Sequence, residues 1–102
     1  MQWKRGNPQA QAPPHRMYYA LAGLDKYSLS SPLAGGPWAV LRFVQGAGPA
    51  KVIGHAPTLA AAKAIAAAKA ARVARRGGRP YAARVAAQAA EEARLERFYA
   101  AR

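Results

Sequence analysis

An alanine-rich stretch from Thr58 to Arg79, TLAAAKAIAAAKAARVARRGGR, constrains this chain more than any other feature. Alanine has the best intrinsic helix propensity, and no Gly or Pro interrupts the run before Gly77, so one helix is predicted over residues 59–76. Thr58 follows Pro57 and can cap the N-terminus, while Gly77 can take the left-handed conformation that ends a helix. Lys69, Arg72, Arg75, Arg76 and Arg79 fall at the negative pole of the helix dipole, where cations are favoured. Part of that charge therefore serves helix stability.

Charge sets the next constraint. There are 16 Lys and Arg against 4 Asp and Glu, a formal net charge of +12. Between Lys26 and Ala90 there are ten basic residues and no acidic one, so ion pairs within that region cannot neutralise it. A polyanion can: nucleic acid is the commonest such partner, with DNA ahead of RNA, followed by an acidic protein or ribonucleoprotein surface. The 102 residues make one domain with one modest core. Alanine buries little area, so the 28 alanines leave that core thin. There is no cysteine and hence no disulfide framework or Cys-based zinc site. Lys63 and Lys69 interrupt the alanine run well short of the ~20 apolar residues that a membrane span needs. The N-terminus up to Leu24 has the acid-free character of a transit peptide, but its prolines break the helix such a peptide needs. The expected compartment is the cytoplasm, that of a bacterial host if the gene is carried by a phage.

Residues 1–16 are rich in Gln, Pro and Gly, with Pro8, Pro13 and Pro14 opposing regular structure, and read as an extended arm. Trp3, Lys4 and Arg5 are its strong features: either a tryptophan tucked against the domain or a basic arm along a phosphate backbone. A single α+β domain is expected over residues 17–102: a short antiparallel sheet of three or four strands within 17–55, then helices over 59–76 and 80–100. Residues 17–21 and 26–30 alternate in the manner of a hairpin around Ala22, Gly23, Leu24 and Asp25, the alternative being a helical turn or two over MYYALAGL. WAVLRFV, Trp38 to Val44, is the clearest strand, and AKVIGH returns after the turn QGAGP at Gln45 to Pro49. Trp38, Val40, Arg42 and Val44 share one face. Because Arg42 is charged, that face is assigned to solvent, and Leu41 and Phe43 are assigned to the helix.

After Gly77 and Gly78, Pro80 suits the first position of the second helix. Tyr81, Val85, Gln88, Glu92, Leu95 and Tyr99 then recur in steps of four and three. Such a stripe packs on its own domain or forms the seam of a homodimer through Tyr81, Val85, Leu95 and Tyr99. Glu91 and Arg94 can pair across one turn.

Catalysis finds little to work with. His15 sits in the arm and His55 at a strand end, and no HExxH or paired-carboxylate spacing exists. Neither glycine pair precedes the Lys-Ser/Thr of a nucleotide loop. The chain implies no metal, no cofactor and no enzyme activity. Phosphate binding fits better, since cations release condensed counterions from a nucleic-acid backbone. Its candidates are Lys63, Lys69, Arg72, Arg75, Arg76, Arg79 and Arg84 around the join of the two helices, where Gly77 and Gly78 would admit a phosphate. Trp38, Arg42 and Lys51 on the hairpin are candidates for groove or stacking contacts.

WAVLRFV, a glycine turn, KVIG and the threonine-capped TLAAAKAIAAA give residues 27–72 a layout that resembles AP2-type and integrase amino-terminal DNA-binding domains. The resemblance implies that Gly54 ends the last strand, that Thr58 caps, and that Ala62 and Ala66 pack the helix on a sheet whose opposite face reads a DNA groove. It places that readout on Trp38, Arg42 and Lys51. The same short, basic, alanine- and arginine-rich layout resembles small phage and mobile-element proteins of GC-rich hosts. That second resemblance implies an inhibitor, anti-CRISPR-like or directed at a host polymerase, which acts by occupying a surface.

Overall fold

The computed structural model describes residues 1–6, 14–44 and 46–101. It shows an α+β domain in which a five-stranded antiparallel sheet carries a long C-terminal helix on one face. The strands β1 (Lys4–Arg5), β2 (His15–Ala22), β3 (Asp25–Pro32), β4 (Trp38–Val44) and β5 (Lys51–Ala56) lie side by side in chain order, and α1 spans Leu59–Ala100. The sheet is thus larger than the three or four strands expected. Its additional strand comes from the segment read as an arm: Lys4 and Arg5 pair with Tyr19 and Tyr18, and β2 begins at His15. Pairing with β1 satisfies backbone groups on the edge of β2 and brings Trp3 against the core. Pro8 and Pro13, which supported the arm reading, lie outside the described residues, as does Gln45 of the predicted turn.

Period-two alternation decides which side chains meet the helix. Along β3, Asp25, Tyr27, Leu29 and Ser31 are buried while Lys26 is exposed. Cross-strand partners share a face. The covered face therefore includes Ala20 beside Tyr27, Tyr18 and Val40 beside Leu29, and Arg42 beside Tyr27. This reverses the sequence assignment of β4. Trp38 and Val40 are buried at 5% and 0% exposure, whereas Phe43 is exposed on the outer face with Leu21 and Val52. The reason lies outside β4: Asp25 is buried on the inner face and pairs with Arg42, so the charge that argued for solvent has a partner inside. The register of β4 and β5 shifts between Val40 and Leu41; Ile53 is the extra residue on β5 and packs against the core.

Helix and sheet approach closely because the contact is built from small residues. Ala62 and Ala66 are fully buried, and Leu59, Ile65 and Ala70 pack beside them. Opposite them, a Cβ on Gly54 would lie 3.2 Å from Cγ2 of Ile65, so glycine is what lets the helix settle there. Leu29 and Val40 supply larger burial, each about 2 kcal/mol of transfer free energy. Thr58 caps α1 as expected, its Oγ1 accepting from the Ala61 N–H at 3.2 Å.

The two predicted helices form one element with a break inside it, one residue later than expected. Gly78, not Gly77, carries the non-helical backbone, with φ 56° and ψ −147°, a conformation reserved to glycine. Gly77 is tied to a different need: Tyr81 packs against it so closely that a Cβ would collide with Tyr81's own Cβ. The Tyr81 hydroxyl accepts from the Leu24 N–H at 3.2 Å, fastening the second arm of α1 to the β2–β3 turn. Glycines 77 and 78 therefore serve the bend.

Since the helix–sheet contact has no spare volume, Ala66→Leu is expected to lower unfolding stability by about 1–3 kcal/mol through overpacking. Urea denaturation with an unchanged m-value would report it as a lower midpoint.

Candidate nucleic-acid interface

The candidate cations divide into separate places. Arg42, Lys69, Arg72 and Arg76 line one cleft of about 270 Å³, floored by Val73, where α1 leans over β4. Their convergence follows from two periodicities: residues 69, 72, 73 and 76 lie on one helical flank at steps of three and four, while Arg42 is on the covered face of its strand. Lys69 is half-buried, its stem lying along apolar surface as its place on the helix suggests. Arg84 lines an adjoining cleft of about 600 Å³ that shares Arg42 and Val73 and also includes Gly77 and Tyr81. Lys51 is exposed and pairs across the ladder with Arg42, at the same end of the sheet.

Other predicted contacts are elsewhere. Trp38 is in the core, with Tyr18 6.0 Å away between ring centroids and the Arg16 guanidinium 4.8 Å over its ring. Lys63 stands over the Tyr18 ring at 5.6 Å, on the flank facing β2. Arg75 and Arg79 are exposed and line neither cleft; Arg75 is turned about 100° from Arg76 around the helix. Of the proposed homodimer stripe, Tyr81 and Val85 are half-buried within the chain, while Leu95 and Tyr99 are 38% and 62% exposed.

Electrostatics distinguishes the cleft from an ordinary charged surface. Asp25, 3% exposed, accepts from Nε and Nη2 of Arg42, both at 2.8 Å. Among the described residues the other ion pair is Glu91 with Arg94, on the far arm of α1 as predicted; it holds the Glu91 carboxyl below its ordinary range. Among the described residues, Lys69, Arg72, Arg76 and Arg84 consequently have no carboxylate within salt-bridge distance. Four cations line the first cleft and one of them is neutralised, which leaves three positive charges facing solvent. Among the described residues, no group of three or more His, Cys, Asp or Glu is placed to hold a metal ion. No helix there is long and apolar enough to cross a membrane.

Two residues that organise the site escaped the sequence reading. Asp25 looked like a turn residue, yet it is the only acid before Glu91, and a lone acid in so basic a chain is a signal for a buried partner. Tyr27 is the other. Its phenol is fully buried across the ladder from Arg42, and its Oη makes no hydrogen bond of ordinary geometry. Burial, and secondarily the negative charge of Asp25, raise its pKa above the ordinary 10.0, with Arg42 opposing.

No protein-family model, curated protein or solved structure matches this chain.

An acid whose pKa rises on folding gives stability that is present below its unfolded pKa and is lost as pH climbs through the folded value. Tyr27→Phe is therefore expected to lose less stability than the wild type between pH 8 and pH 10.5. At pH 8 it should be equal to the wild type or more stable by about 1 kcal/mol, because an unsatisfied hydroxyl is removed. Denaturant midpoints at the two pH values check both statements.

Proposed function

We propose that this protein binds duplex DNA without catalysis, holding the phosphate backbone in the cleft of Arg42, Lys69, Arg72 and Arg76, with Lys51 and Arg84 alongside. The observation that carries the reading is the convergence of four cations on one cleft with a single carboxylate among them. Cations held together against their own repulsion gain most from a ligand with regularly spaced negative charge. With Trp38 buried and Arg42 engaged by Asp25, contact falls on the backbone, and binding is expected to be indifferent to base sequence. The cleft side chains other than Val73 are all donors, matched to phosphate oxygens that only accept.

If the three uncompensated cleft cations each meet a phosphate, log K should fall with log salt at a slope of about −2.7 on an arbitrary duplex. Micromolar affinity at low salt is expected. Arg72→Ala/Arg76→Ala should cut the slope by about two-thirds. Absence of binding at ~50 mM salt, or a slope indifferent to the double substitution, would sink the reading.

A second reading is supported by a different surface. Leu21, Phe43 and Val52 are 70%, 42% and 55% exposed on the outer sheet face, which the second arm of α1 borders only at its Leu21–Phe43 end. Exposed apolar area of this kind marks protein contacts. It fits a phage-type inhibitor, anti-CRISPR-like or polymerase-directed, that seats on a host protein complex. Nuclease-treated bacterial lysate should then yield one stoichiometric partner, retained by Arg72→Ala/Arg76→Ala and lost with Leu21→Ser/Val52→Ser. Capture that vanishes with nuclease would exclude it.

A further inference from the structure

We propose a second binding site at the other end of the helix-covered face, one that takes an unpaired nucleotide; the choice of a nucleotide rests on the nucleic-acid reading above. A cavity of about 640 Å³ opens there, lined by Arg5, Arg16, Tyr18, Leu33, Trp38 and Leu59 among others. This is the size of a pocket that encloses one small organic ligand. Its chemistry is a flat cationic floor with apolar walls.

The floor is Arg16. Its guanidinium carbon lies 4.8 Å from the centre of the Trp38 ring, and Nη2 donates to Oγ of Ser31 at 3.0 Å. Ser31 is fully buried and in turn donates to the Gly36 carbonyl at 3.0 Å. The guanidinium is thus held from two directions before any ligand arrives, which lowers the ordering cost of stacking on it. Arg16 nevertheless remains exposed, with donors unspent. Arg5 enters from the neighbouring strand, opposite Tyr18, and makes no ion pair. Lys63 is not part of the lining but stands nearby, 5.6 Å from the Tyr18 ring. Leu33 and Leu59 supply the walls, and Leu33 is half exposed at 49%.

A simple anion would use the cations and waste the apolar walls; a neutral aromatic would do the reverse. A nucleobase joined to a phosphate uses both, the ring against the Arg16 plane and the phosphate toward Arg5. The helix runs from this cavity at Leu59 to the cationic cleft at Arg72 and Arg76, about 20–25 Å at 1.5 Å per residue. A strand leaving a duplex held at the cleft can therefore reach it.

In a Trp3→Phe background Trp38 is the one tryptophan left, and its emission reads the site directly. Titration with octathymidylate is expected to change that emission saturably. Affinity should fall at least about fivefold in Arg5→Ala and in Arg16→Lys, the latter keeping the charge but losing the plane. Arg72→Ala/Arg76→Ala should leave the Trp38 signal in place, and far-UV circular dichroism should confirm that every variant is folded. A silent Trp38, a response unchanged in Arg5→Ala and Arg16→Lys, or inorganic phosphate giving the same response at equal affinity overturns the proposal. The two readings fail separately. Loss of blunt-duplex binding with an intact octathymidylate response removes the cleft alone, and duplex binding with no Trp38 response removes this site alone.

Discussion

The ion pair between Asp25 and Arg42 is the constraint on which the rest of the arrangement turns. Asp25 opens β3 immediately after the β2–β3 turn and is almost wholly buried, so its carboxylate must find a cation inside the fold. Arg42 is that cation, two strand residues away from the cross-strand position of Val44. Once Arg42 faces inward, the period of two turns Val40 and Trp38 inward with it, and the core composition follows. A buried pair of this kind adds little net stability over an apolar pair of the same shape; its contribution is to make the alternative register costly. Shifting β4 by one residue would bury Phe43 and Leu41 while stranding Asp25 without its partner.

The same pair gives the cleft its sign. Arg42 arrives at the flank of α1 already matched, while Lys69, Arg72 and Arg76 come from the helix with no acid near them. Alanine shapes the space they occupy. Ala62 and Ala66 hold the helix close to the sheet without bulk at its sides, so the long stems of basic residues lie across the gap and keep their heads in water. A helix with leucines at those positions would stand farther off and fill the cleft with hydrocarbon. Thin packing and a cationic recess are thus two consequences of one composition.

What could be read from the chain alone divides along the range of the forces involved. The alanine helix, its Thr58 cap, the WAVLRFV strand and its return were legible because propensity and capping act within a few residues. The Glu91–Arg94 pair was legible for the same reason, its partners being one turn apart. The facing of β4 was not. Rules of local polarity put Arg42 in water, and only Asp25, seventeen residues earlier, explains why it is not there. β1 was invisible because two residues carry no periodicity, and their pairing with Tyr18 and Tyr19 depends on the tertiary sheet. The bend fell at Gly78 because Tyr81 requires the room at Gly77, a contact set by the distant turn at Gly23 and Leu24. Within the candidate site, Lys69, Arg72 and Arg76 were visible by charge and helical spacing, whereas Trp38 was misjudged with the face to which it belongs.

The break in α1 bears on whether the cleft is open at all. A chain with only four acidic residues can still mask a basic surface if it folds its own carboxylates onto it. Glu91, Glu92 and Glu96 all lie beyond Gly78, on the arm fastened by Tyr81 to the β2–β3 turn. That arm passes the end of the sheet: Val85, Gln88 and Glu92 share a recess with Leu21, Lys26 and Phe43, residues of the outer face. Glu92 therefore stands at the end of the sheet, beside the β2–β3 turn and outside the lining of the cleft, while Glu91 is engaged by Arg94. Gly78, which bends the helix, and Tyr81, which latches it, thus carry the acidic arm along the β2–β3 turn, and among the described residues no carboxylate lies within salt-bridge distance of Lys69, Arg72 or Arg76.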